Sequence, residues 1–368
     1  MSFVLDDVEE ALRDTARKWT REHAPITQLR ALRDAHDPIG FSREAWRELG
    51  RLGLAGVTVP ERWGGAGLGF AALGLVVEEL GRTLAPLPWL STLLGTEALL
   101  GGASDEKRQA HLAASCAGAR IVTLAHDEGG RHARHAVSTI AERCSDGYAL
   151  YGDKVMVLDG HVADAFVVSA RSGEATALYF VDAGARGLGV ERSHVVDSRN
   201  VARLKLDGVV VRESERLGGV ELLDRLLDRA SIALSAEMLG STVELFERTL
   251  QHLRTRRQFG VPIGSFQALQ HRAGLLFCEI ELLRSVVREA LVAVDEDHED
   301  VAQLACAAKA RASDTFTLCA AEAVQMHGGI GVTDELDIGL FFKRARVTAM
   351  LFGDAAWQRD RYARLEGY

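Results

Sequence analysis

Residues 254–267 read RTRRQFGVPIGSFQ, and their glycines and proline predict a turn between two helices. One helix ends in this segment, and another begins at Ser265, a suitable N-cap residue. Three arginines in four positions are more than a helix end requires. They either interact with the dipole at a helix C-terminus or bind a phosphate-bearing ligand, since guanidinium groups pair well with phosphate oxygens.

Helical patterns continue around this segment. From residue 220 to residue 239, leucines and alanines recur every three or four positions without a glycine or proline. Long helices in a region of this size usually pack as an antiparallel bundle. Residues 218–368 are therefore predicted to form a C-terminal helical bundle.

Between residues 118 and 217 the apolar period changes from that of a helix to that of a strand. Short β-rich runs are separated by Gly, Asp, Asn or Ser, which is typical of strands and turns. These runs are residues 121–124, 148–151, 154–158, 165–168, 177–181 and 204–206. Because helical spacing between them is weak, this part is predicted to be a small, mostly antiparallel barrel or sandwich.

Residues 1–117 are again helical in pattern, with one apolar stripe per helix. Amphipathic helices are predicted at residues 5–19, 45–52 and 71–83. The fold class is therefore mostly α with a β middle domain. We predict three domains, over residues 1–117, 118–217 and 218–368.

The chain has 368 residues, with 43 Lys and Arg against 52 Asp and Glu, a formal charge of −9. Its 47% of hydrophobic residues excludes a disordered tail, and an acidic chain without a basic block is a poor nucleic-acid partner. No apolar run reaches the roughly 18–20 residues of a membrane span. The acidic start, where a signal peptide is basic, predicts a cytoplasmic protein. Five scattered cysteines without a CxxC pair predict reduced, mostly buried thiols and no metal site.

Two further segments are marked by glycine, residues 59–67 (VPERWGGAG) and residues 325–331 (QMHGGIG). The first is either a plain turn or part of a ligand site. The second either caps a helix or lets the backbone approach a ligand closely. His126 and His327 each lie just before a Gly-Gly pair, and each is either an ordinary hydrogen-bonded residue or a catalytic one. No Walker A loop, dinucleotide fingerprint, HExxH or GxSxG motif is present.

Taken together, these segments resemble the three motif regions of the acyl-CoA dehydrogenase family. They are VPERWGGAGLG (residues 59–69) followed by EELGR (residues 78–82), RxQFGxPIGxFQxxQH (residues 256–271) and QMHGGIGVT (residues 325–333). They occur in order and at the expected distances across essentially the whole chain. The resemblance implies an N-terminal helical domain, a β domain and a C-terminal four-helix bundle. It also implies a bound FAD and a homo-oligomer, or a heterotetramer with a homologous subunit.

The resemblance also implies which residues bind FAD. In the family the RxQFG segment contacts the pyrophosphate and adenosine end, often across a subunit boundary, and the FQ and QxxGG segments contribute further contacts. The matching residues are Arg256, Gln258, Phe259, Phe266, Gln267, Gln325, Gly328 and Gly329, and Asp354 occupies the position of a flavin-contacting Thr. An arginine with backbone donors suits the two charges of a pyrophosphate.

The implied reaction removes two hydrogens from the Cα–Cβ bond of an acyl-CoA thioester. A carboxylate takes the α-proton, the β-hydrogen leaves as hydride to flavin N5, and an electron-transfer flavoprotein reoxidises the cofactor. Because the α-proton is a very weak acid, the site must polarise the thioester carbonyl and exclude water.

The sequence departs from the family at that carboxylate. Phe352 stands where most members have the catalytic Glu, and phenylalanine cannot accept a proton. A minority of members take the base from the first bundle helix, immediately before an Arg. The nearest such pair here is Asp228 and Arg229, about two residues out of register. Asp354 is the other nearby acid, and a chain without its own base is the third possibility.

The middle domain departs as well. The family's TEPxAGS loop reads TLAHDEGG here (residues 123–130), and the WIT segment that stacks on the flavin reads MVL (residues 156–158). Three functions are compatible with these departures. The chain is an acyl-CoA dehydrogenase for a bulky or branched acyl group, a non-catalytic subunit that lends FAD contacts to a catalytic homologue, or a flavin-dependent oxygenase on the same fold.

Overall fold

The computed structural model describes residues 5–368, which contain eleven α-helices. These helices are α1 (Asp7–His23), α2 (Ile26–Asp34), α3 (Arg43–Arg51), α4 (Gly69–Arg82), α5 (Trp89–Gly102), α6 (Asp105–Cys116), α7 (Val220–Thr255), α8 (Gln267–Asp295), α9 (Val301–His327), α10 (Ile338–Met350) and α11 (Ala355–Leu365). The four helices predicted from periodicity correspond to α1, α3, α4 and α7. Asp6 begins α1 with a reciprocal capping box to Glu9.

All the strands of the middle region belong to one sheet. They are β1 (Val122–Ala125), β2 (Ile140–Cys144), β3 (Gly147–Leu158), β4 (Ala165–Ser172), β5 (Ala175–Asp182), β6 (Leu188–Ser193), β7 (Val201–Val211) and β8 (Arg216–Gly218). The order is β6-β7-β3-β2-β4-β5-β8, and β1 pairs with β4. Only the β1–β4 and β2–β4 pairs are parallel. The predicted helical, β and helical fold class is confirmed, with a mixed, mostly antiparallel sheet in the middle.

Strand β3 joins two runs that the sequence pattern separates. Gly147–Leu158 is one strand whose pairing with β7 shifts register between Leu150 and Tyr151 and again between Lys154 and Val157. In the second irregularity Met156 adopts a left-handed backbone, with φ of +53°. Irregular positions of this kind break the alternation of inward and outward side chains, which explains the apparent gap.

Tertiary contacts divide the chain into two compact units. The bundle unit consists of residues 5–28, Gly74–Ala85 and Ser231–Tyr368, and the sheet unit consists of Leu29–Leu73 and Pro86–Ala230. In the sheet unit, one face of the strands carries an apolar core that includes Leu150, Phe166 and Tyr179. In the bundle unit, α9 packs against α8, α10 and α11. The predicted domain limits at 117 and 217 stay a prediction.

Two glycines of the bundle unit lie at very close helix contacts. A Cβ on Gly240 would lie 1.8 Å from the carbonyl oxygen of Glu78, and a Cβ on Gly81 would lie 2.1 Å from that of Glu237. Ser241 Oγ also donates a hydrogen bond to the Gly81 carbonyl at 2.9 Å. Helices α4 and α7 therefore approach each other backbone to backbone.

The cysteines are free thiols, as predicted. Cys116, Cys306 and Cys319 are buried, whereas Cys278 is exposed. Burial raises the pKa of Cys116 to about 11 and that of Cys319 to about 12, so these two thiols are unreactive. Among residues 5–368, no helix combines the length and the apolar character needed to cross a membrane.

Candidate cofactor and catalytic sites

The segment between α7 and α8 forms a hairpin of two short strands, β9 (Arg257–Gln258) and β10 (Val261–Pro262). Its turn residues Phe259 and Gly260 have left-handed backbones, with φ of +53° and +80°. The Phe259 ring is 92% exposed and meets the Phe266 ring edge-on, with ring centres 6.2 Å apart. Most of the Phe259 surface is therefore accessible to another molecule.

Arg256 and Gln258 lie on the same hairpin with exposed side chains. Within residues 5–368 neither side chain makes a hydrogen bond or an ion pair. Gln267 opens α8, whose first turn carries no acidic residue and no side-chain cap. Because the start of a helix attracts anions, these donors are suited to a diphosphate.

Gly328 and Gly329 follow the end of α9. Gly328 has φ of +69°, and its N–H donates to the Gln325 carbonyl, so it caps the helix. A Cβ at either glycine would meet nothing within 4 Å. Both interpretations of this segment therefore remain compatible with the structure, because the cap is present and the backbone is also open to a ligand.

His327 is held by its neighbours in the bundle unit. Its ring stacks on His252 with centres 4.2 Å apart, and its Nδ1 lies 2.7 Å from the Ala323 carbonyl oxygen. Burial lowers the pKa of both imidazoles. These contacts favour the ordinary, hydrogen-bonded role for His327.

Phe352 lies in the turn between α10 and α11 and is only 7% exposed. Its backbone is left-handed, with φ of +58°, and Gly353 follows with φ of +94°. Gln358 Nε2 donates to the Phe352 carbonyl at 2.7 Å. A Cβ on Gly353 would lie 2.5 Å from the Trp357 ring, so the glycine is required by this turn. Phe352 is thus a buried, apolar residue, and its correspondence to the catalytic Glu of the family stays a prediction.

The side chain of Lys309, on α9, binds the backbone of the same turn. The sequence pattern did not predict this contact. The buried Lys309 Nζ donates to the carbonyls of Ala349 and Gly353 at 3.1 and 3.2 Å, and to Ser313 Oγ at 3.1 Å. Burial lowers the pKa of Lys309 to about 7, and the charge of Asp354 opposes that shift. Lys309 thus positions the backbone around Phe352.

We expect Lys309→Met to remove the part of the pH dependence of the unfolding free energy that comes from the Lys309 amine. Because the pKa of Lys309 is lower in the folded chain than in the unfolded chain, folding releases a proton above about pH 7. The wild-type unfolding free energy should then rise relative to Lys309→Met by about 1 kcal/mol per pH unit between roughly pH 7.5 and 9.5. Urea unfolding of both proteins across that range measures the difference. Parallel pH profiles would show that Lys309 keeps its ordinary pKa.

Asp354 has a structural role at the start of α11. Its carboxylate Oδ1 accepts a hydrogen bond from the Trp357 N–H at 2.9 Å, as an N-cap residue does. The side chain is exposed rather than enclosed. The predicted flavin contact of Asp354 stays a prediction, and the capping bond already accounts for an acid at this position.

Asp228 and Arg229, in the sheet unit, have separate partners. Arg134 Nη2 lies 2.9 Å from Asp228 Oδ1, and the same guanidinium pairs with Asp224. Arg229 pairs with Glu97. The Asp228 carboxylate is therefore engaged by an arginine in a buried ion pair.

The residues after β1 form a buried polar network that sequence reasoning missed. Lys154 Nζ donates to Glu128 Oε1 at 2.7 Å and to Ser169 Oγ at 3.0 Å, and His126 Nδ1 lies 3.0 Å from the same Oγ. Burial lowers the pKa of His126 to about 3. Burial also lowers the pKa of Lys154, against the pull of Glu128, to about 8. His126 is therefore a neutral imidazole at physiological pH.

The glycines of residues 59–67 are explained by a turn. Gly64 has φ of +88°, and a Cβ on Gly65 would lie 2.1 Å from the Val59 carbonyl oxygen. The Gly67 N–H donates to the same Val59 carbonyl at 2.9 Å. This geometry favours the plain-turn interpretation.

Comparison with known proteins identifies the protein family. Residues 6–119 match the acyl-CoA dehydrogenase N-terminal domain, and residues 218–365 match the acyl-CoA dehydrogenase C-terminal domain. The chain therefore belongs to the acyl-CoA dehydrogenase family. The predictions of an oxidoreductase that acts on CH–CH donors, and of FAD as its cofactor, are confirmed by this membership.

Three relatives cover nearly all of the chain. Acyl-CoA dehydrogenase IpdE2 of Mycobacterium tuberculosis is 33% identical over 343 residues, which is 93% of this chain and 92% of the relative. The ChsE4-ChsE5 complex of Mycobacterium tuberculosis contains a chain with 29% identity and a TM-score of 0.93. The match covers 100% of this chain and 100% of that chain. A variant of the Tcur3481-Tcur3483 steroid ACAD has 32% identity and a TM-score of 0.91, with 98% of each chain covered.

Proposed function

We propose that this chain is one subunit of a heteromeric acyl-CoA dehydrogenase and that it binds FAD without supplying the catalytic base. The observation that carries the proposal is the buried Phe352 at the base position. The alternative acids are engaged elsewhere, since Asp354 caps α11 and Asp228 pairs with Arg134. The overall reaction is α,β-dehydrogenation of an acyl-CoA thioester, and a homologous subunit provides the carboxylate.

The contribution of this chain is the hairpin and its neighbours. Arg256 and Gln258 offer exposed donors to the diphosphate, and Phe259 offers a flat apolar surface for the adenine ring. The open backbone at Gly328 and Gly329 allows close approach of a ligand. We assign Phe266, Gln267 and Gln325 to the same binding surface, as the family's motifs imply. This donor set fits the adenosine diphosphate end of FAD.

The bound FAD supplies the hydride acceptor for the β-hydrogen. The chain's own residues bind and orient it, because Arg256 and Gln258 bring a positive charge and hydrogen-bond donors to the diphosphate. An arginine that neutralises diphosphate charge stabilises the bound cofactor in either oxidation state. An electron-transfer flavoprotein is the proposed electron acceptor, and the cytoplasm the proposed location.

The relatives support the heteromeric assignment and the acyl class. Two of the solved structures that resemble this chain are the ChsE4-ChsE5 complex and the variant of the Tcur3481-Tcur3483 steroid ACAD. We infer for this chain a homologous partner subunit and a bulky, polycyclic acyl group.

Flavin binding by the isolated chain tests the proposal. We expect the chain alone to purify with little FAD, and to become yellow when co-expressed with a homologue that carries the usual catalytic Glu. Anaerobic addition of a steroid-type acyl-CoA should bleach only the co-expressed complex. A chain that purifies alone as a yellow protein and is bleached by acyl-CoA would contradict the proposal and identify a self-sufficient enzyme.

We also expect Asp228→Asn to leave kcat of the complex within about threefold of wild type. Removing a true general base costs about 10²–10⁴-fold. Asp224→Asn is the matched control, because Arg134 binds both carboxylates. A large loss of kcat in Asp228→Asn alone, in a stopped-flow measurement of flavin reduction, would establish Asp228 as the base.

A further inference from the structure

A cluster of three side chains in the sheet unit has no part in the proposed dehydrogenation. His126, Asp127 and His132 follow β1, and one nitrogen or oxygen atom from each lies within 4.8 Å of the other two. The His132 side chain is 2% exposed and that of Asp127 is 20% exposed. We propose that these residues form a binding site for one divalent transition-metal ion of the Zn²⁺ type.

His126 provides the first ligand. Its Nδ1 is engaged by Ser169 Oγ at 3.0 Å, whereas its buried Nε2 has no hydrogen-bond partner among residues 5–368. A buried nitrogen without a partner is costly. A metal ion would use the Nε2 lone pair and so satisfy this buried nitrogen.

Asp127 and His132 form the second half of the site. His132 Nδ1 lies 2.9 Å from Asp127 Oδ1. A carboxylate that holds one nitrogen of an imidazole is the usual way to orient a metal-binding histidine. Two imidazoles and one carboxylate are also a common set of three protein ligands for zinc, with the fourth position left to water.

The local charge favours a cation. Asp127 and Glu128 contribute two negative charges. Lys154, whose Nζ lies 2.7 Å from Glu128, contributes one positive charge. The net charge of these three residues is therefore −1. Because Lys154 pairs with Glu128 and His132 bonds only Asp127 Oδ1, the other carboxylate oxygen of Asp127 stays available to the ion.

The segment between the ligands has room to close on an ion. Tetrahedral ligands about 2.1 Å from zinc lie roughly 3.4 Å apart, so a pair separated by the full 4.8 Å has to approach by about 1.4 Å. Gly129 and Gly130 lie between Asp127 and His132, and a Cβ on either would meet nothing within 4 Å. This open segment can absorb the shift without disturbing packed neighbours.

Metal binding by the full-length chain tests the site independently of any flavin reaction. Chelator-treated protein is titrated with Zn²⁺, passed through a desalting column and analysed for metal by mass spectrometry. We expect about one zinc per chain, with an increased melting temperature because the ion binds the folded state. Substitution of Co²⁺ should give the visible absorption of a tetrahedral site.

Variants locate the site. His126→Ala and the nearly isosteric Asp127→Asn should each weaken zinc affinity by at least about tenfold. His298→Ala is the matched control, because His298 also lies near an aspartate, with Nδ1 3.6 Å from Asp300 Oδ2, but on the surface; it should keep one zinc per chain. Circular dichroism confirms that each variant is folded. Wild-type protein that retains no zinc, or a folded His126→Ala that retains one per chain, would overturn the proposal.

Discussion

Replacing Arg256 with alanine is expected to weaken FAD binding by about ten- to hundredfold while leaving the chain folded. A hydrogen bond to a charged group contributes more binding free energy than a hydrogen bond between neutral groups. Water cannot replace the paired hydrogen bonds that an arginine makes to a diphosphate. The side chain is exposed and makes no hydrogen bond or ion pair within residues 5–368. Removing this side chain should therefore weaken FAD binding without destabilising the fold. Fluorescence titration of cofactor-stripped complex with FAD measures the change.

Arg364→Ala is the control for this experiment. Arg364 is also an exposed arginine of the bundle unit, and it pairs with Asp360 one turn away on α11. It should bind FAD as the wild type does, whereas Arg256→Lys should recover only part of the affinity because an ammonium group cannot form paired hydrogen bonds. Equal FAD affinity in Arg256→Ala and the wild type would remove Arg256 from the cofactor site.

The sequence is sufficient to predict the fold class because its apolar patterns are strong. Strands β4 and β5 each contain a run of consecutive buried residues, at positions 165–170 and 177–181, and the periodicity of α1 is equally regular. Strand β2 was missed for the opposite reason. Most of its residues are exposed and it includes Glu142 and Arg143, so hydrogen bonding to β3 rather than burial makes it a strand.

The candidate sites were only partly predictable. The hairpin around Phe259 is a local structure set by its own turn residues, and its exposure agrees with the assigned role in binding. The partner of Asp228 is Arg134, which lies far away in sequence, and no local pattern reveals such a pair. Lys309 has alanines on both sides in sequence and reads as a solvated lysine, but packing of α9 against α10 and α11 buries it.

Close helix packing leads to the prediction with the largest expected effect on stability. Gly240 and Gly81 let α7 and α4 meet backbone to backbone, and the atom that opposes a Cβ at Gly240 is the carbonyl oxygen of Glu78. A flexible side chain could move aside, but this oxygen belongs to the backbone of α4. Accommodating even one methyl group therefore requires a shift of the helix itself.

We expect Gly240→Ala to lower the unfolding free energy by at least about 3 kcal/mol, the upper end of the usual cost of overpacking. Gly274→Ala is the matched control: Gly274 lies inside α8, and a Cβ there would meet nothing within 4 Å. Both changes gain the same intrinsic helix propensity, about 0.5–1 kcal/mol, so only Gly274→Ala should be stabilising. Urea unfolding of the two variants measures the contrast. A Gly240→Ala protein as stable as Gly274→Ala would show that α4 and α7 can separate without loss, and that their close approach at Gly240 is not required by the fold.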